Sequence, residues 1–328
     1  MTSEIRLSKK EIQNRLNSMC IQPNGFTIRK YGVSVKYFSN NEESPSKRMD
    51  YEMTADLNIE DDKGILTINK ENIFYNQHKP DFINEIVSDA ISKSVYPIKV
   101  YFNEKGIASN EILNHNEIIK RWNHQKSKVS EKYSSSDLEG FFEDFEQKLF
   151  LKDKFEKSLH HDWFWNLFFH PKLINYGDKR TVVKDLLLSV IPYRNPLRFL
   201  GIQKIEKIPT NYHSFVVHFE SKELLAPSYF KKADDEKTPF MSLNVDFDMD
   251  LYHHFPMHTV AKLEIYSKDR YGAKSITKRV DFSMYQINSD EYKTKTLSDN
   301  SPFITGGLVK VPPNKWGFDN FESIENNW

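Results

Sequence analysis

LNVDFDMDL, residues 243–251, puts Leu243, Val245, Phe247, Met249 and Leu251 on one side of an extended chain and Asn244, Asp246, Asp248 and Asp250 on the other. That alternation is the period of a strand; a helix would scatter the carboxylates around its circumference. A strand with one face for a core and one for water belongs to an antiparallel sheet.

Working outward from this stretch, the same character covers most of the second half of the chain. TVVKDLLLSVI, LRFLGIQKIEKI, SFVVHFESKELL, TVAKLEIYS and ITKRVDFSMYQI read as strands, giving about six with the first. The first half opens differently. Ser8 and Glu11 form a capping box before Ile12, Leu16 and Met19, so a short helix is expected there, stopped by QPNG at 22–25. From Phe26 to Tyr75, FTIRKYGVSVKYF, DYEMTADLNI, GILTIN and NIFYN are separated by turn chemistry and predict a meander of about four strands. PDFINEIVSDAISKSV is a helix with Phe82, Ile83, Ile86, Val87 and Ile91 on one stripe, and a hairpin follows around NEKG.

Residues 115–169 carry the helical period, with Ile118, Ile119, Trp122, Val129 and Tyr133 on one stripe and a second capping box, Ser136 to Glu139, opening the next helix. The expected organisation is therefore 1–114, a β-meander with a helix and a hairpin; 115–170, a helical insert; 171–288, a second antiparallel β region; and 289–328, an extended tail. The fold class is α+β, with long twisted antiparallel sheets packed on a central helical layer. Two half-barrel-like units from a duplication are one arrangement this order allows, although no residue-level repeat supports it. A curved sheet wrapped over helices is also the architecture of half-barrel carriers, an analogy that assigns no function.

Composition narrows the function classes. Lysine and arginine number 46, balanced by 46 aspartates and glutamates, so the global positive field of a nucleic-acid binder is missing. One cysteine, Cys20, rules out an intrachain disulfide and any site needing two thiolates, which fits a reducing compartment. The amino terminus lacks the apolar run of a secretory signal, and no apolar run is long enough to span a bilayer. A cytoplasmic protein is expected. The wealth of Asn, Lys and Ile is the composition of an AT-rich bacterial genome. At 14% aromatic, the chain carries enough rings to expect broad sheet faces, an interface or an apolar pocket.

Two stretches invite a metal reading. SLHHDWFWNLFFHPKL, residues 158–173, holds His160, His161, Asp162 and His170; MDLYHHFPMH, residues 249–258, holds His253, His254 and His258. On a helix His160 and His161 sit about 100° apart. Pro256 breaks the i, i+4 relation of His254 and His258. The pattern H-E-x-x-H is absent, so a metal site requires the two groups to meet in space, with Asp162 or a carboxylate of Asp246, Asp248 and Asp250 completing it. No metal or other cofactor is expected. The aspartate row lacks the glycine and the wrap of a calcium loop. No nucleophile elbow and no phosphate-binding glycine loop occurs, and Cys20 sits where a small apolar residue is ordinary.

The expectation is a non-enzymatic protein whose partner is another protein, in the manner of an adaptor, a chaperone or a secretion-associated accessory. It would use sheet edges, the rings of the helical layer and the tail. Trp163, Phe164 and Trp165 are consecutive and point in three directions, so one ring is expected to leave the core. Trp316, Phe318, Phe321 and Trp328 lie in a tail broken by proline and glycine. The alternatives are a carrier of an apolar small molecule between sheet and helix, and a metal-dependent hydrolase using the two histidine groups.

Overall fold

The computed structural model describes residues 19–21, 28–61, 63–133, 136–191, 194–207, 210, 214–231, 239–251 and 253–287. The helix expected over Ser8 to Leu16 and the tail from residue 289 lie outside the described residues.

The first β run forms three strands, β1 (Ile28–Ser39), β2 (Lys47–Glu60) and β3 (Lys63–Tyr75). The expected fourth is absent because GILTIN and NIFYN run on as one strand; a register shift opposite Asp50 and Glu52, with Asn72 at φ 51°, absorbs the irregularity between them. Helix α1 (Ile83–Val95) leads into the hairpin β4 (Ile98–Phe102) and β5 (Ala108–Ile112). The insert follows as α2 (His115–Ser130), α3 (Ser136–Leu149), α4 (Lys152–Ser158), a 3-10 turn (Leu159–His161) and α5 (Trp163–Phe168). The second β run gives β6 (Thr181–Leu188), β7 (Leu197–Ile205), β8 (Ser214–Ser221), the short β9 (Leu224–Leu225), β10 (Phe240–Asp250), β11 (Pro256–Lys268) and β12 (Lys274–Gln286).

All twelve strands among the described residues belong to one antiparallel sheet, ordered β5-β4-β3-β2-β1-β12-β11-β10-β8-β7-β6 with β9 added to β10. The two β runs are joined where β1 meets β12, in the register Val33 to Met284 and Val35 to Phe282. These side chains, with Tyr31, Met53, Leu263, Val245, Phe247 and Phe199, are buried on one continuous face. On β10 Leu243, Val245, Phe247 and Met249 are buried as expected and Asn244 and Asp246 face water, but Asp248 is half-buried and Asp250 is buried, because it holds the turn after the strand by accepting from the His253 amide at 2.9 Å.

The buried face wraps the aromatic stretch that precedes β6. Phe168 meets Tyr31 of β1 edge-on at 5.7 Å, Phe169 meets Phe102 of β4 at 6.0 Å, Trp163 stacks on Phe282 of β12, and His170 stacks on Phe247 of β10 at 5.5 Å. Strands from both halves of the sheet thus close on α5 and the two residues that follow it. The sheet is an open barrel and α5 is its plug, because twist accumulated over eleven neighbouring strands brings the outer strands round toward each other.

Helices α1 to α3 pack on one another and join the same buried cluster as the sheet and the plug. Arg121 ties α2 to the end of α1 through the carbonyls of Ser94, Val95 and Pro97 at 2.8, 3.1 and 2.9 Å. Trp122, fully buried, holds α3 through the edges of Phe142 and Phe145 and donates to Glu146 at 2.8 Å. No helix among the described residues is long and apolar enough to cross a membrane.

Candidate functional site: a cleft along an open sheet edge

The plug is fixed at both ends by chemistry its own sequence supplies. Asp162 caps α5 by accepting from the Phe164 amide at 2.7 Å and lies 3.5 Å from Lys70 of β3. At the other end Lys172, fully enclosed, donates to the carbonyls of Leu167, Phe168 and His170 at 3.2, 2.7 and 2.7 Å. The first two of those oxygens belong to the unsatisfied, negative end of the helix, which is where a cation is most favourable. Burial draws the Lys172 ammonium down to about 7. Three acceptors around one nitrogen nevertheless match the three protons of the charged form.

So anchored, the plug turns Trp165, Asn166 and Phe169 toward a cleft of about 330 Å³. The second wall is the hairpin tip, where Asn103 accepts from the amides of Lys105 and Ile107 and holds Ile107 and Ala108 at the rim. The third wall is β6, of which five consecutive residues, Val183 to Leu187, border the cleft. Five in a row means that the cleft follows the strand's edge, since one face alone would supply every second residue.

That edge is open. Within β6 every backbone pairing runs to β7, and no other backbone or side-chain partner of its amides and carbonyls occurs among the described residues. The other terminal strand, β5, is shorter and is blunted by α4, where Glu156 accepts from the Ile112 amide at 3.0 Å. On the outer side of β6 and β7 the polar alternation fails: Val183 and its cross-strand neighbour Ile202 are 63% and 48% exposed, beside half-covered Leu200. On the inner side Lys184 lies opposite Gly201, with no ion pair or hydrogen bond among the described residues. Arg198, by contrast, is held by Asp185.

Among the described lining residues there is no serine, threonine, cysteine or tyrosine to act as a nucleophile. His160 is lowered from the usual histidine range by burial, and its Nδ1 lies 3.4 Å from the side-chain oxygen of Asn166. His170 faces inward, pulled down to about 3 by burial and by the neighbouring Lys172, and is spent on Gln203. Compared with protein-family models and with curated proteins, the chain matches none.

The residues singled out from sequence are distributed as follows. Trp163, Phe164 and Trp165 are 4%, 1% and 5% exposed, so none leaves the core; the segment lies inside the sheet, and a short helix enclosed on all sides hides rings pointing in all directions. Trp165 alone of the three reaches the cleft wall. Trp316, Phe318, Phe321 and Trp328 lie outside the described residues. His160 and His161 stand at the start of the plug, and the His161 ring lies 3.4 Å from the Ser189 hydroxyl. His254, buried with φ 60°, reaches the Cys20 carbonyl at 2.7 Å, His253 pairs with Asp250, and His258 is exposed on β11. Among the described residues the two histidine groups do not converge on one point. Three potential ligands come together instead at His78, Asp81 and Glu85, where Nδ1 of His78 already contacts the Lys79 carbonyl at 2.9 Å.

Lys184, Val183, Asn103 and the β6 edge were missed by sequence reasoning. One signal was present. LRFLGIQKI carries Leu200 and Ile202 on the face where a water-facing strand would be polar, and TVVKDLLL is apolar on both faces around a single Lys-Asp pair.

Proposed function

We propose that this is a non-enzymatic binding protein that takes an extended segment of a partner polypeptide alongside β6. The observation behind it is the open eight-residue edge of β6 running through an apolar cleft. Added strands gain main-chain hydrogen bonds from such an edge and selectivity from pockets for alternate side chains. Here one set of side chains meets Trp165, Phe169 and Ile107, and the other meets Val183, Leu200 and Ile202. An adaptor, a chaperone or a secretion-associated accessory in the cytoplasm would use such a groove. Within this cleft a small molecule is less well served than a strand, because the cleft is open along β6 and sits at the low end of ligand pockets, which span about 300–1,000 Å³.

The test uses a displayed library of random peptides selected against the whole chain. Selected peptides should slow amide exchange across Thr181 to Leu188, and Val183→Asp should weaken them at least about tenfold. Leu225→Asp, on the exposed β9 away from the cleft, should leave them unchanged. Peptides that bind without protecting β6, or that ignore Val183→Asp, defeat the reading.

A further inference from the structure

A second cavity, of about 570 Å³, opens between the end of β1, the start of β2, α1 and β12. It is separate from the β6 cleft and shares no lining residue with it. Its walls are Phe38, Met49, Val190, Ile191 and Val280, with the rings of Tyr37 and Tyr75 between them. Its charged lining is one-sided, with Lys47, Arg48, Lys278 and Arg279 against the single carboxylate of Glu85.

The four cations are not equally committed. Arg48 pairs with Asp50 at 2.7 Å, and Arg279 lies 3.3 Å from Asp281 while stacking over the Phe38 ring at 3.7 Å. Lys47 and Lys278 are exposed and have no ion pair among the described residues. They flank the cavity because β1 pairs on both sides there, Tyr37 with Lys47 and Ser39 with Lys278. Neither tyrosine supplies compensating charge: burial and the nearby Asp162 push Tyr37 up to about 12, and burial raises Tyr75, which is bonded to Ser88. A low-dielectric hollow with unneutralised cations at its mouth focuses a positive potential outward.

We infer that this cavity binds a free amphiphile with one anionic head group, the head between Lys47 and Lys278 and the apolar tail against Met49, Val190 and Val280. Charge complementarity selects the head, since a cationic amphiphile would meet the like charges of Lys47 and Lys278 and an uncharged one would leave those lysines unanswered. The apolar walls select the tail, since a bare anion would bury none of them.

Laurate is the probe, followed by calorimetry on the full chain. It should bind with one-to-one stoichiometry, while dodecylammonium, acetate and inorganic phosphate should not. The double variant Lys47→Glu/Lys278→Glu changes two exposed side chains, so its melting temperature should stay with the parent's while laurate affinity falls at least about tenfold. Lys184→Glu, in the β6 cleft, should leave laurate affinity unchanged. The inference is overturned if laurate fails to bind, if dodecylammonium binds as well, or if a folded double variant keeps its affinity. Loss of laurate with Lys184→Glu alone would move the ligand to the other cleft and overturn it too. The result is independent of whether peptides bind along β6.

Discussion

The Nε2 nitrogen of His170 lies 2.6 Å from Oε1 of Gln203, with both side chains out of reach of water. Gln203 spends its amide protons on the Pro171 carbonyl and the Tyr176 hydroxyl, at 2.9 and 2.6 Å, so its oxygen accepts and the imidazole donates from Nε2. A single proton on that nitrogen satisfies the pair. A second would charge a ring enclosed by Phe219 and Phe247 beside Lys172.

Acid should therefore destabilise the plug. His170 falls from 6.5 to about 3 in the folded chain, so between these values the unfolded state binds a proton that the native state refuses. Its contribution is complete above about 6.5 and is lost as the pH falls toward about 3. From pH 7 to pH 5 the loss should be roughly 2 kcal/mol, at about 1.4 kcal/mol for each unit below the unfolded value. Unfolding free energies from urea titrations at the two pH values should differ less in His170→Phe than in the parent by that amount. Equal shifts in the two proteins would show that the ring is not held neutral.

Lys172→Met tests the other end of the plug. The substitution keeps the apolar stem and removes the ammonium, leaving the carbonyls of Leu167, Phe168 and His170 buried with a shared donor missing. Each orphaned oxygen costs roughly 1–3 kcal/mol, partly offset by no longer burying a charge, so a net loss of about 2–4 kcal/mol is expected from equilibrium denaturation. A variant as stable as the parent would mean that the cation does not hold α5 in place.

Much of the fold was legible because its signals are local. The alternation of Leu243 to Met249 gave a strand and its core face, and most strands of the second β run begin and end close to their patterns; SFVVHFESKELL is the exception, breaking after Ser221 into β8 and β9. What joins the halves was not local: Val33 finds Met284 from the opposite end of the described chain, and no period announces that pairing. Periodicity likewise tells which residues are apolar and leaves open what covers them. Phe142 and Phe145 lie on Trp122 between α2 and α3, while Trp163 and Phe168 pack on strands of the sheet, although both stretches read as aromatic helix. The cleft was hidden for the same reason, since an edge strand and a central strand differ only in a neighbour the sequence does not show.

Two glycines test the register of the sheet in opposite ways. At Gly201 a methyl group would come within 2.5 Å of the Glu220 carbonyl oxygen and 2.7 Å of the Phe219 ring, so backbone must move. At Gly32 it would meet only the far end of the half-exposed Tyr285 side chain, at 2.6 Å, which can swing aside into solvent. Gly201→Ala should cost about 1–3 kcal/mol, as overpacking does, and Gly32→Ala much less. Thermal melts that reverse this order would contradict the β7–β8 pairing.

The outer apolar face beside the cleft separates covering by the chain itself from covering by a partner. Val183 and Ile202 face each other across β6 and β7 with Leu200 diagonal to them, and all three are exposed among the described residues. An apolar side chain in water contributes little to the folded state, so Val183→Thr/Leu200→Thr/Ile202→Thr should change stability by less than about 1 kcal/mol, each site alone staying within about 0.5 kcal/mol. Threonine keeps the β-branched shape that suits a strand, so the sheet itself is not challenged. The same triple variant should lose the peptides selected against β6, because one set of their side chains has nothing left to bury. A stability loss of several kcal/mol would instead show that another part of this chain packs on the face, and the open edge would then be an internal contact rather than a docking groove.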